Sequence, residues 1–199
     1  MNDIQIIEKP EWVTWEQIHE VIWKAHELNR EKGINMTHAA LSGKEIEEYL
    51  TPNGRMYVAI DGDKVIGTAA YKEEKAKFWF GEGIYAYCCF ASVLPGYTGK
   101  GVYKQLMEIR EQNALVNGID KLMFNTHPNN SRVINVALKS GFKRVSFISG
   151  VNNSWVYLVK WINGAPFSDA RLSVMYNGIR ILRESKHMIS FITKSKKGK

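Results

Sequence analysis

Glycines 96, 99 and 101 crowd the stretch PGYTGKGVYKQL, Pro95 to Leu106, together with Pro95, Lys100 and Lys104. A glycine-rich turn that opens a helix leaves main-chain N–H groups unpaired and lets an anion approach them, so this stretch could hold a phosphate. Two familiar phosphate grips do not fit. A Walker loop needs four residues between its first glycine and the Gly-Lys pair, whereas only Tyr97 and Thr98 separate Gly96 from Gly99. A dinucleotide fingerprint must lie between a strand and a helix, and the nearest match, GEGIYA at Gly81 to Ala86, runs into a strand.

A second set of residues could move protons. Tyr85, Tyr87 and Cys89 alternate along one expected strand and so share a face, while His127 stands at the end of another. Histidine ionises near neutrality and suits a base, although a histidine at a strand end is also an ordinary surface residue. The two tyrosines read as groove lining or core before they read as an acid. Glu82 could work through water or sit in a solvated turn, and nothing in the local sequence activates Cys89 as a nucleophile. His19, His26 and His38 make no metal-ligand spacing with a cysteine or carboxylate cluster, so no metal is expected.

The 199 residues, 45% hydrophobic and 24% charged, suffice for one well-buried domain and are not those of a disordered chain. Met1 to Pro10 has no signal-peptide core, and no apolar run approaches a membrane span. Cys88 and Cys89 are adjacent and point to opposite faces, which makes a reduced, cytoplasmic setting the expectation. The net charge of +7 suggests nucleic acid until it is located: from Ala165 onward eight Lys or Arg face two acids, and the rest of the chain is nearly neutral. Nucleic acid is therefore not the expected partner.

The elements that must position these residues can be read in order. DIQII, Asp3 to Ile7, predicts a strand. Trp15, Ile18, Val21, Ile22, Ala25 and Leu28 keep helical spacing, with Thr14 and Gln17 as a capping box and Gly33 as the stop, which predicts one helix. A shorter helix is expected over Lys44 to Leu50. RMYVAI and KVIGTAAYK around Asp61-Gly62-Asp63 predict a hairpin, and GIYAYCCFASVL a further strand, with a loop from Lys72 to Gly83 between them. After the glycine turn comes a helix with an apolar stripe at Val102, Leu106, Ile109 and Ala114 to Leu115. KLMFNTH, Lys121 to His127, predicts a strand, then a helix over Ser131 to Lys139 stops at Gly141, and FKRVSFI and SWVYLVKWI close as strands. The fold class expected is α+β: a mixed, largely antiparallel sheet of six to seven strands with helices on both faces, plus a C-terminal helical extension.

Two blocks then carry a resemblance. V-L-P-G-Y-T-G-K-G-V-Y at Val93 to Tyr103 resembles the pyrophosphate loop of the GNAT acetyltransferase superfamily, and N-N-S-R-V-I-N-V-A-L-K-S-G-F at Asn129 to Phe142 resembles its Asn…Gly-Phe block, with Asn130 eleven positions before Gly141. The resemblance covers about Met1 to Asn163 and implies a GNAT-like domain over 1–163, with 164–199 as a basic amphipathic extension. It implies acetyl-CoA as co-substrate, its diphosphate held by Thr98, Gly99, Lys100, Gly101, Val102 and Tyr103. Backbone groups around Phe90, Ser92 and Val93 would pair with the pantetheine arm, and Asn130 would hydrogen-bond it; Asn130 also reads as a helix N-cap.

The match departs from the family at four places. Thr98 replaces the preferred Arg or Gln, and Tyr103 the preferred Gly or Ala nearest the cofactor. Tyr87 occupies the strand position of the frequent Glu base, and Ala137 that of the frequent Tyr acid. Tyr87, His127 and Tyr85 are therefore the catalytic candidates. The resemblance implies an N-acetyltransferase acting on a small-molecule primary amine by direct attack in a ternary complex. An amino sugar is suggested by a similarity to members associated with surface-polysaccharide assembly. A non-catalytic coenzyme A-binding sensor or scaffold is the alternative. The tail repeats Leu172, Met175, Ile179 and Leu182 at helical spacing beside Arg171, Arg180, Arg183 and Lys186, ahead of a KSKKGK end read as disordered. It could pack on the domain or on a second subunit of a homodimer, or lie on an anionic or membrane surface.

Overall fold

The computed structural model describes residues 4–34, 37–78, 81–148, 154–163 and 168–197. They form seven mostly antiparallel strands and six α-helices, the α+β fold class that the sequence predicts. Contacts divide the chain into two compact units, Met1–Leu122 and Met123–Lys199.

The first unit holds β1 (Gln5–Glu8), α1 (Trp15–Ala25), α2 (Glu27–Glu31), α3 (Gly43–Leu50), β2 (Gly54–Asp61), β3 (Lys64–Phe78), β4 (Gly81–Val93) and α4 (Val102–Val116). Strands β1 to β4 pair antiparallel in chain order. Alternation along β2 sends Met56, Val58 and Ile60 into a core with Ile18 and Ile22 of α1 and Ile46 and Leu50 of α3. The opposite face carries Tyr57 and Tyr71, stacked at 6.4 Å, and is covered by α4. Gly67 permits that approach, because a Cβ there would stand 3.1 Å from Leu106 Cδ1 and 3.3 Å from Val102 Cγ1. Helices thus cover both faces of the sheet in this unit.

Capping fixes the helix starts. Thr14 with Gln17, and Ser42 with Glu45, each form a complete capping box, which satisfies two otherwise orphaned N–H groups per helix.

The first unit departs from the sequence reading at three places. The single helix expected from Thr14 to Gly33 breaks at His26 into α1 and α2, where the His26 ring turns inward and its Nε2 lies 3.2 Å from Ser92 Oγ. Within the expected loop from Lys72 to Gly83, of which Trp79 and Phe80 lie outside the described residues, Lys72 to Phe78 of β3 instead pairs with Gly81 to Tyr87 of β4. Lys72 to Glu74 are half-buried and Lys75 and Lys77 exposed, so no apolar alternation marks this stretch and the charges of KEEKAK hid the strand. Along α4, finally, the buried stripe is Val102, Leu106, Arg110 and Ala114, with an arginine where an apolar residue was expected.

The second unit holds most of β5 (Lys121–Thr126), then α5 (Ser131–Lys139), β6 (Lys143–Ile148), β7 (Trp155–Trp161) and α6 (Asp169–Lys197). Its strands run in the order β5-β7-β6, with β6 and β7 antiparallel. His127 lies just past the end of β5. Gly141, at φ +91°, turns the chain after α5. Leu172 and Tyr176 of α6 are buried, whereas Val174, Ile181 and Leu182 are exposed. The KSKKGK segment, read as disordered, is helical through Lys197.

Candidate active site

The glycine turn is built by its own backbone. Pro95–Tyr97 form one 3-10 turn, and Gly99 and Gly101 then take left-handed φ of +84° and +80° on either side of Lys100. A Cβ at Gly99 would meet nothing within 4 Å, so the positive φ, not crowding, explains the glycine. The N–H groups of Tyr97, Thr98 and Lys100 close turn bonds to Leu94, Pro95 and Tyr97 carbonyls at 2.9, 3.1 and 3.4 Å. Among the described residues, the N–H groups of Gly99, Gly101, Val102, Tyr103 and Lys104 have no backbone acceptor, and the first bond of α4 is Gln105 N–H to Gly101 O at 3.1 Å. Within the row from Thr98 to Tyr103 that the resemblance implies, the N–H groups of Thr98 and Lys100 are thus taken by turn bonds.

Three contacts at Tyr97 hold this turn in place. Tyr97 donates its hydroxyl to Asp61 Oδ2 at 2.8 Å, tying the turn to the β2–β3 hairpin. Lys100 Nζ lies 4.8 Å above the Tyr97 ring and Lys64 Nζ 5.9 Å from it, so two cations flank the ring beside the open donors. Together, converging N–H groups, the positive end of a 15-residue helix and a lysine make a site for a multiply charged anion. A diphosphate fits that donor set. Tyr103 does not spoil it by charge or exposure: the residue is half-buried, and burial pushes its hydroxyl above the ordinary tyrosine range, with Arg110 opposing and Cys88 adding. Arg110 lies on the buried stripe of α4, and Cys88 on the face of β4 that pairs with Tyr71.

Strand β4 carries an irregularity that the sequence did not disclose. Thr68 pairs with Ser92 and Ala70 with Cys89, so Phe90 and Ala91 together face Ala69 in a β-bulge. Phe90 takes φ +51°, a left-handed conformation that costs a non-glycine residue roughly 1–2 kcal/mol. The buried Thr68 hydroxyl donates to Phe90 O at 2.7 Å and holds it there. On the far side, His26 Nε2 meets Ser92 Oγ at 3.2 Å, while the Asn29 amide lies 3.0 Å from His26 Nδ1. Burial, and secondarily Arg30, push His26 below the ordinary histidine range. Val93 is half-buried and Thr98 exposed.

The register confirms that Tyr85, Tyr87 and Cys89 share a face, and it adds two residues that the sequence reading missed. Ala70 pairs with Cys89, Lys72 with Tyr87 and Glu74 with Tyr85, so Lys72 and Glu74 belong to the same face. Tyr85 is fully buried, with Lys121 Nζ 5.8 Å from its ring. Tyr87 is half-buried against the core of the unit. The Cys89 thiol is buried and pushed far up by desolvation, with Cys88 adding, which disfavours a thiolate nucleophile. Lys72 Nζ donates to Tyr49 O at 2.7 Å and lies 4.8 Å from the Tyr49 ring. His38, Tyr49 and Phe90 pack with ring centroids 5.2–5.6 Å apart, and burial pushes His38 below its ordinary range. Glu82, by contrast, is exposed and paired with Lys77 at 3.1 Å.

In the second unit, Asn130 is buried at the N-cap position of α5 but makes no capping bond; its amide donates to Thr126 Oγ1 at 3.1 Å. His127 Nδ1 accepts from the Asn129 N–H at 3.2 Å, so its neutral ring carries the proton on Nε2 and presents a donor there. Ala137 is buried. Among the described residues no group of three His, Cys, Asp or Glu is placed to hold a metal ion.

The model of the acetyltransferase (GNAT) family matches residues 15–142, a span that includes the glycine turn, the bulged β4 and the Asn130 to Phe142 block. The chain belongs to the GNAT acetyltransferase family. A sequence search of curated proteins gives no match. Solved GNAT-like structures share its fold. An acetyltransferase from Streptococcus agalactiae has a TM-score of 0.63 at 19% identity, covering 81% of this chain and 99% of that one. The alanine N-acetyltransferase of a ribosomal protein from Escherichia coli has a TM-score of 0.62 at 13% identity, covering 82% and 96%. An N-acetyltransferase from Thermoplasma acidophilum, solved in complex with coenzyme A, has a TM-score of 0.60 at 17% identity, covering 80% and 99%. As a GNAT protein, this chain is an acyltransferase.

Proposed function

We propose that this GNAT protein moves an acetyl group from acetyl-CoA to the primary amine of a small molecule by direct attack in a ternary complex, with amino sugars the first acceptors to try. The observation that supports it most is the row of open N–H groups at Gly99 and Gly101 to Lys104, pinned by Tyr97 and accompanied by Lys100. In this reading those donors, with the Thr98 hydroxyl, hold the diphosphate. On the same reading, main-chain groups around Phe90, Ser92 and Val93, next to the bulge, pair with the pantetheine amides. In this reading Tyr87 lines the reacting region, Tyr85 is buried on the same strand face, and His127 offers a proton donor through Nε2. Residues 1–163 form the catalytic domain, 164–199 are an extension to it, and the protein works in the cytoplasm.

Saturating acetyl-CoA should raise the melting temperature, and amino sugars should then release free coenzyme A thiol. The absence of any thermal shift would overturn the reading. A coenzyme A-binding role without catalysis is the second reading, favoured by the hydroxyl-free Ala137 at the position of the family's frequent acid. Protection without thiol release across amino sugars, polyamines and peptide amines would select it.

A further inference from the structure

An amine is an ammonium ion at neutral pH and attacks a thioester only after it loses a proton, so a base must meet it. Glu82 faces away with Lys77, and the Cys89 thiol is held protonated. By register, Glu74 is the carboxylate that β3 and β4 place on the Tyr85–Tyr87–Cys89 face: Glu73 pairs with Ala86 and Glu82 with Lys77, both on the other face. Glu74 is half-buried, directly opposite Tyr85 and one pair removed from Tyr87 and Lys72. Its charge reaches Tyr49 of α3 and Cys89 of β4.

From this placement we infer that Glu74 is the catalytic base, and that the half-buried face it shares with Tyr87 and Lys72 receives the ammonium group of the acceptor. The inference rests on the acetyl-transfer reading above and assigns its missing proton acceptor. The Glu74 carboxylate takes one proton from the ammonium. The amine nitrogen then forms a bond to the thioester carbonyl carbon, the C–S bond breaks, and the second nitrogen proton passes to the departing sulfur. Amide, thiol and a proton on Glu74 result, and the half-exposed carboxyl returns that proton to solvent.

The surroundings suit this task. Burial pushes the Glu74 carboxyl above its ordinary value, which strengthens it as a base, while Lys72 opposes the shift. Groups that face it are Lys72 on its own strand, Tyr85, Tyr87 and Cys89 on β4, Lys121 of β5 against the Tyr85 ring with Asp120 beside it, and Tyr49 on α3 with His38 packed against that ring. Burial favours the neutral forms of Tyr49, Tyr85 and Cys89 and pushes His38 toward its neutral form, which leaves Lys72 and Lys121 as the cations on this face, Lys121 paired with Asp120 at 3.0 Å.

Glu74→Gln tests the role with almost no change of shape. Thiol release from acetyl-CoA is followed with a panel of amino sugars, polyamines and peptide amines, alongside thermal protection by acetyl-CoA. The expected result is undiminished protection, an unchanged KM for acetyl-CoA and a kcat lowered about 100-fold or more at pH 7. The deficit should shrink as pH approaches the acceptor's own pKa, where the amine needs no base, and Glu74→Asp should recover part of the loss. Full kcat in Glu74→Gln with turnover by the wild type would overturn the role of Glu74 alone. Failure of the wild type to turn over any amine would overturn the acetyl-transfer reading and this role with it.

Discussion

Arg110 shows what a single residue can cost this fold. It is 2% exposed, donates to Ala70 O at 3.3 Å and points Nη2 at Met107 Sδ, yet its Nε has no partner. A buried cation held by neutral acceptors recovers little of its lost hydration, so an apolar side chain of similar length should serve as well or better. Arg110→Met is expected to raise stability by about 1–3 kcal/mol in urea unfolding without altering acetyl-CoA binding. A loss of stability would mean that the guanidinium has favourable partners among ordered waters.

His26 and His38 make an opposite prediction about pH. Both are held below the ordinary value of 6.5 chiefly by burial, so the unfolded chain binds protons that the folded chain refuses. Their contribution is whole above pH 6.5 and is lost as pH falls below it. The urea midpoint should drop between pH 7 and 5.5, and His38→Phe, which keeps a ring against Tyr49 and Phe90, should flatten the slope. An identical slope in the variant would contradict the assignment.

At the scale of elements, the bulge in β4 depends on its neighbour strand. Thr68 is fully buried, and its hydroxyl satisfies the carbonyl of a residue in a strained conformation. Thr68→Val keeps the shape and removes that donor, so the expected loss is about 1–3 kcal/mol of stability in thermal unfolding. Weakened acetyl-CoA binding should accompany it, because the bulge aims the backbone near Ser92 and Val93. Stability and binding both equal to wild type would show that the bulge holds itself.

Across the whole molecule, the features legible in the sequence were those that special residues announce. Gly99, Gly101 and Gly141 mark left-handed turns, and Thr14 with Gln17 and Asn130 with Gly141 mark helix limits, which is why the loop and the GNAT family could be read early. Strand alternation likewise put Tyr85, Tyr87 and Cys89 on one face. What stayed hidden depends on tertiary partners. The left-handed residue of the bulge is Phe90, not glycine, and its support comes from Thr68, distant in sequence. The break at His26 follows from its approach to Ser92. Glu74 lay in a charged stretch read as a loop, and only pairing with Tyr85 gives it a face.

The central claim is that the open N–H groups around Gly99 and Gly101 bind the diphosphate of acetyl-CoA. Isothermal titration of acetyl-CoA into the wild type and Gly99→Val tests it most directly, because valine at φ +84° must distort the turn while no neighbouring atom is crowded. Measurable binding by the wild type and at least tenfold weaker binding by a folded Gly99→Val is the predicted result. Equal affinity in the two proteins, or no binding by the wild type, would contradict the account.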